Sequence, residues 1–197
     1  MNNKKKKLIS IATATLNVGA LGVTGVLAAY ALRDNNRRSG ELYGLVQAAD
    51  ESGIGVTEAL VNLQTHVATH MNASPLPQLG ENAPVQLAKS YERAKNAEST
   101  RVTTQREQVT NEGIATCEAQ FGRANLVTRS NCIAEYGAAH PVQPEKVILA
   151  DLYRYDFASP MWTPDKAGWL VIVFVVLALM LAVRIVAKIV ATLIFKR

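Results

Sequence analysis

The stretch "LISIATATLNVGALGVTGVLAAYAL", Leu8 to Leu32, runs for twenty-five residues without a charge. A helix crosses a hydrocarbon core of about 30 Å with roughly 20 apolar residues, and a longer run fits by tilting. A second uncharged run, "GWLVIVFVVLALMLAV", covers Gly168 to Val183, and its apolar pattern continues through "RIVAKIVATLIF". The second crossing therefore takes in Arg184, which lies one helical turn from Lys188. Both side chains can snorkel toward headgroups. An acidic group on a partner's membrane helix is the sharper reading of that pair. A third option lays the chain after Val183 in the interface as a basic amphipathic helix.

Charge sets the orientation. The chain carries a formal +5, yet all sixteen Asp and Glu lie between Asp34 and Asp165. Residues 33–166 hold thirteen Lys and Arg against those sixteen acids, a net of −3. The remaining eight cations flank the apolar runs: Lys4 to Lys7 at one end, and Arg184, Lys188, Lys196 and Arg197 at the other. A nucleic-acid binder clusters its cations on the folded domain, so that class is excluded. The positive-inside rule puts both termini in the cytoplasm, although Arg33, Arg37 and Arg38 oppose it. The expected organisation is a basic tail (1–7), a transmembrane helix (8–32), an extracytoplasmic helical domain (33–166), a second transmembrane helix (167–190) and a basic tail (191–197). A cleaved signal peptide, with "AYA" at Ala29 to Ala31 as its site, is the rival reading, but its apolar region is usually 7–15 residues.

Within the spans, Thr15, Gly19, Gly22, Val26 and Ala29 form a stripe of small residues on the first helix. Val171, Val175, Ala178 and Ala182 form a comparable stripe on the second. Small residues let membrane helices approach closely. The two spans are expected to pair through these stripes, and homodimerisation through the glycine face is the alternative.

Beyond Leu32 the chain stays helix-compatible, until alternation from Tyr153 to Phe157 and Pro160 suggest an extended approach to the second span. "ELYGLVQAADESG" places Leu42, Leu45, Val46 and Ala49 on one face, with Gly53 as a stop. Thr57 is the expected cap of a helix bearing Leu60, Leu63, Val67 and Met71. Prolines 75, 77 and 84 break the pattern, which predicts a loop from about Asn72 to Ala83. Asn72-Ala-Ser is a formal sequon, of a kind that occurs often by chance. A long polar helix follows from Pro84 to about Phe121, with a thin stripe of Leu87, Tyr91, Ala94, Val102 and Val109 and a weak point at Gly113. Gly122 turns the chain into a shorter helix with Leu126, Cys132, Ile133 and Tyr136, stopped by Gly137. The expected fold is all-α: two transmembrane helices flank an extracytoplasmic antiparallel bundle of four helical segments, one hairpin of which is long and polar.

Such a narrow core needs help. Cys117 and Cys132 flank the turn at Gly122, and outside the cytoplasm that placement points to a disulfide. A loop of this size stabilises by roughly 3 kcal/mol in the chain-entropy model. Free thiols or a redox pair are the alternatives, and the latter usually has C-x-x-C spacing. Tyr153, Tyr155, Phe157, Trp162 and Trp169 precede or open the second span; Trp162 and Trp169 read as an interfacial belt, with a ligand-binding aromatic cluster as the alternative. Thr163-Pro164-Asp165 is a helix start, with Thr163 as the cap.

The patches "LRDNN", "LVQAADESG", "EALVNLQTHVATHMN", "PVQLAKSYERAK", "NCIAEYG" and "YDFASPMWTPDKAGW" together resemble uncharacterised two-span membrane proteins of reduced-genome, candidate-phylum bacteria. The resemblance implies the same topology and carries over no catalytic or binding residue. By topology alone the chain is also similar to the outer four-helix modules of bacterial chemoreceptors and sensor kinases. It lacks their cytoplasmic half, so a relayed signal would pass through a partner.

No phosphate loop, nucleophile elbow or H-E-x-x-H motif is present. "LQTHVATH" puts His66 and His70 one turn apart, at the edge of the apolar stripe. Zinc needs a third and usually a fourth ligand; His140 is the obvious candidate, with Glu58 and Asp151 behind it, and nothing in the spacing brings them together. A pH-sensing histidine pair is a further alternative. The expectation is a non-enzymatic, membrane-anchored outer domain for interaction or envelope structure. It has no cofactor, and its partners are the lipid bilayer and a membrane or envelope protein. A sensory or ligand-binding module is the second reading, and a metal-dependent hydrolase the third.

Overall fold

The structure, a computed structural model, describes residues 3–75 and 84–195, with side chains described over 11–75 and 84–194. The elements are α1 (Asn3–Ser52), α2 (Val56–Thr69), β1 (Val85–Gln86), α3 (Ala88–Phe121), α4 (Leu126–Ala139), a 3₁₀ turn (Ala150–Tyr153), β2 (Arg154–Tyr155) and α5 (Lys166–Phe195). The chain is mostly helical. It divides into two compact units: residues through Val85 with those from Tyr155 onward, and Gln86–Arg154. The boundary falls within β1 and β2, which pair as a two-stranded ladder.

In the first unit one helix serves two partners. The apolar run and "ELYGLVQAADESG" were expected as separate helices, but α1 passes through "RDNNRRSG" unbroken for 50 residues. No proline interrupts it, and Arg37 bridges Asp34 and Glu41 at one-turn spacing, at 2.9 and 2.8 Å. Pairs so placed support a helix. Its inward stripe, Asn17, Ala28, Ser39, Leu42, Val46 and Asp50, is buried. The N-terminal part of that stripe faces α5 and the C-terminal part faces α2. Leu45, expected inward, is 58% exposed.

The turn into α2 uses Gly53 and Gly55, both at positive φ (77° and 71°), where a Cβ would be strained. Gly55 rather than Thr57 precedes the helix, and no side chain caps it. Leu60, Leu63 and Val67 are buried against α1, as their spacing requires. The loop expected over Asn72 to Ala83 begins on schedule, but its residues 76–83 lie outside the described ones. The same holds for the extreme ends of both basic tails.

Between α1 and α5 the small-residue stripes are displaced by one position. Gly19 and Gly22 face open space, whereas a Cβ on Gly25 would meet the Phe174 ring at 2.9 Å. Ala178 is half-buried and Ala182 is exposed. A helical stripe of small residues permits an approach on several neighbouring faces. Antiparallel packing against α5 selects the one through Gly25 and Ala28, which lie three residues apart on one helix face. Large apolar side chains on the outer faces stay uncovered, with Leu16 77%, Val23 61% and Leu179 61% exposed. Both α1 and α5 are long and apolar enough to cross a membrane.

The second unit is the expected hairpin of a long and a shorter helix, α3 and α4, followed by an extended return. Cys117 and Cys132 are joined by a disulfide between α3 and α4. Gly113 is a packing site: a Cβ there would meet the Tyr136 ring at 3.0 Å. Asn125 caps α4 by accepting from the Thr128 N–H. The helix runs past Gly137 to Ala139 and ends at His140, because a residue before proline is disfavoured in helical conformation. Residues 141–149 return along α3 without helix. There Glu98 occupies a position where the thin stripe lacks an apolar residue. It takes 2.7 Å bonds from the Arg101 guanidinium and the Lys146 N–H, and Arg101 also reaches the Pro144 carbonyl at 3.2 Å. The Arg101 and Lys146 hydrogen bonds hold the Glu98 carboxyl at about 2.

Two outcomes follow. Gly168→Ala would drive a Cβ into the Thr163 carbonyl oxygen and should cost about 2 kcal/mol or more. Gly22→Ala should be neutral or gain up to about 1 kcal/mol; thermal unfolding in detergent compares them. Because the Glu98 pKa is depressed, its anchoring of Lys146 is complete above the ordinary value of 4.5 and is lost as pH falls through about 2. Hydrogen exchange at the Lys146 amide should therefore stay slow at pH 4 in the wild type and be fast in Glu98→Ala.

Candidate functional site at the polar clasp

Where α1 leaves its apolar run, the asparagines of "LRDNN" gather three chain segments. The Asn35 amide donates to the Met71 carbonyl at 3.0 Å and to the Asp165 carboxylate at 2.8 Å. Its own carbonyl accepts from His66 Nε2 at 3.1 Å. Asn36 Oδ1 accepts from the Ser74 N–H at 3.0 Å, and the Asn72 amide reaches the Leu32 carbonyl at 3.4 Å. Asn72 sits at φ 55°, a left-handed conformation that asparagine tolerates better than most residues.

The segment before α5 closes the clasp. The Ser159 hydroxyl donates to the His70 carbonyl at 2.8 Å and accepts from the Ala73 N–H at 3.2 Å. Thr163, 5% exposed, accepts from the Met71 N–H and donates to Asp165, both at 2.9 Å. Asp165, not Thr163, caps α5, taking the Gly168 N–H at 2.8 Å in the position an N-cap side chain favours. Burial pushes the Asp165 carboxyl up, but the Gly168, Asn35 and Thr163 hydrogen bonds outweigh it and hold the group below its ordinary value.

The histidines expected as a zinc half-site lie within this clasp. Their rings stack at 4.2 Å. His66 spends Nε2 on Asn35, and His70 turns Nδ1 toward the His66 carbonyl at 3.0 Å and the Thr69 hydroxyl at 3.0 Å. His140 belongs to the second unit, stacked on Tyr136 at 4.0 Å with Nδ1 bonded to that residue's carbonyl. Glu58 lies two turns before His66 on α2, and Asp151 is in the 3₁₀ turn of the second unit. Among the described residues no three His, Cys, Asp or Glu side chains gather closely enough to hold a metal ion. The pair is engaged in holding backbone.

Below the clasp a cleft of about 720 Å³ opens between α1 and α5. Its floor is apolar, formed by Leu27, Ala31, Leu170 and Val173, with Tyr30 and Trp169 beside them. Its rim is polar: Asp34, Asn35, His70, Asp165 and Lys166. Trp162 and Trp169 meet edge to face at 6.0 Å. At the far end of the helix pair, Arg184 donates to the Thr13 carbonyl at 3.2 Å. From Trp169 to Lys188, α5 rises roughly 28 Å, close to the hydrocarbon thickness of about 30 Å.

These features define a mostly helical chain with two candidate membrane helices and a polar clasp at one end of their pairing. No protein-family model matches the chain, and no curated protein or solved structure matches it either.

The clasp gives a pH test with a worked sign. A depressed carboxylate contributes fully above its ordinary value, 3.8 for Asp165, and its contribution fades as pH falls through the native value. Wild-type melting temperature in detergent should therefore drop below about pH 4. Asp165→Asn, which sets an amide donor against that of Asn35, should lose about 1–3 kcal/mol at pH 7 and show a flatter acid limb.

Proposed function

We propose that this chain is a two-span membrane protein presenting a disulfide-fastened helical hairpin outside the cytoplasm as an interaction module, without enzymatic activity. Both termini lie in the cytoplasm, by the distribution of Lys4 to Lys7, Arg184 and Lys188 about the apolar runs. Trp162 and Trp169 mark one membrane interface, and Arg184 and Lys188 the other. The resemblance to two-span proteins of reduced-genome bacteria implies the same topology.

The observation that carries the interaction reading is the hairpin's tip. Phe121, Leu126 and Val127 are 38%, 68% and 71% exposed, while the disulfide and the Tyr136–Gly113 contact hold the helices beneath them. A covalently fixed hairpin with apolar side chains outward pre-organises a contact surface, which lowers the ordering cost of association. Envelope or membrane proteins are the partners it suits, and the chain's own copy is the alternative.

A second reading, a ligand-binding outer module coupled to a signalling protein, is favoured by the cleft below the clasp. A saturable rise in melting temperature with a water-soluble ligand supports that reading against the first.

In-cell crosslinking from a cysteine-free tag, followed by mild-detergent purification, tests the interaction module. The wild type should capture a defined membrane or envelope protein, and Leu126→Ser/Val127→Ser should lose at least about 80% of it, as expected where a central apolar anchor carries more than 1 kcal/mol. Equal capture by both chains would sink the proposal.

A further inference from the structure

The rim of the cleft contains one cation and one anion with binding capacity left over. Lys166 is exposed, and its charge acts on the Asp34 carboxylate across the mouth of the cleft. Asp34 accepts at Oδ1 from Arg37, which holds its carboxyl below the ordinary value, and its side chain is 67% exposed. Asp165 is different, since Asn35, Thr163 and Gly168 take up both its oxygens. The cleft therefore offers opposite charges at its mouth and a wall of Leu27, Leu170 and Val173 running from them toward the middle of the helix pair. Its volume of about 720 Å³ falls in the range of roughly 300–1,000 Å³ typical of ligand sites.

We infer that this cleft holds one phospholipid with a zwitterionic, primary-amine headgroup, its phosphate on Lys166, its ammonium on Asp34 and an acyl chain along Leu27, Leu170 and Val173. The inference rests on the two-span reading above, which puts the mouth of the cleft at headgroup depth. Charge complementarity selects the headgroup. A singly anionic lipid satisfies Lys166 but brings no cation to the Asp34 carboxylate. A quaternary choline satisfies the charges but has no N–H to donate to a carboxylate. A primary ammonium does both, and charge-assisted bonds are the strong ones. Trp169, at the first turn of α5, supplies the amphipathic ring that suits the glycerol level. The lipid would fill the cleft between α1 and α5 just below the clasp.

Native mass spectrometry of the full chain in mild detergent tests this, with phosphatidylethanolamine, phosphatidylcholine and phosphatidylglycerol of identical acyl chains added singly. The expected result is one phosphatidylethanolamine retained about tenfold more tightly than either competitor. The preference should vanish in Lys166→Glu and in Asp34→Asn, and Lys166→Arg should keep it. Equal retention of the three lipids, or a preference unchanged in both variants, overturns the inference. Binding of free phosphoethanolamine as tightly as of the lipid also overturns it and assigns the cleft to a soluble ligand. Alkaline carbonate extraction separates the two levels. Chain that stays in the membrane pellet while showing no lipid preference refutes the cleft proposal alone, whereas chain released to the supernatant refutes the two-span reading.

Discussion

The carboxamide of Asn35 binds a carbonyl after α2 and the carboxylate before α5 through one nitrogen, while the carbonyl of the same residue accepts from His66. Both packing surfaces of α1 meet at that point. Toward the C-terminus, Leu42 and Val46 receive α2; toward the N-terminus, Ala28 and Gly25 receive α5. A 50-residue helix has no shape of its own beyond a rod. The clasp fixes which of its faces turns to each partner, and so orients the pair of apolar helices.

Satisfying backbone groups at this point is the physical problem the clasp solves. The chain leaves α2 through a left-handed Asn72 and enters α5 after an extended segment, so neither loop can pair its N–H and carbonyl groups within an element. Ser159, Thr163, Asn35 and Asn36 supply the missing partners. Buried polar groups left without partners are expensive. The residues that look like loose loop composition in the sequence are thus the ones that let the chain fold at the mouth of the helix pair.

The second unit meets a different constraint. Its long helix has too few apolar residues to hold a partner along its whole length. The chain responds with local fastenings: a disulfide and a glycine–tyrosine contact near the tip, and the Glu98–Arg101–Lys146 bonds lower down. Beyond Lys146 the return segment has few apolar partners, with Val147 84% and Leu149 58% exposed.

Hydropathy and helical periodicity determined the two long apolar helices and the buried face of α2, and the short separation of Cys117 and Cys132 pointed to their pairing. Each depends on periodicity or on proximity along the chain, which sequence displays. The chain read as helix-compatible beyond Leu32, but the 50-residue continuity of α1 was not fixed by that, because only its partners show that the helix has reason to go on. Gly25, rather than Gly19 or Gly22, is the contact glycine because a stripe of small residues is degenerate until a second helix chooses a face. The same holds for the site. His66 and His70 were visible as a pair at a helix edge, but Asn35, Ser159 and Thr163 were not, since their partners lie 36, 89 and 92 residues away. Helical periodicity carries a signal over a few turns, whereas a hydrogen bond between distant loops leaves none, and only the tertiary structure decides it.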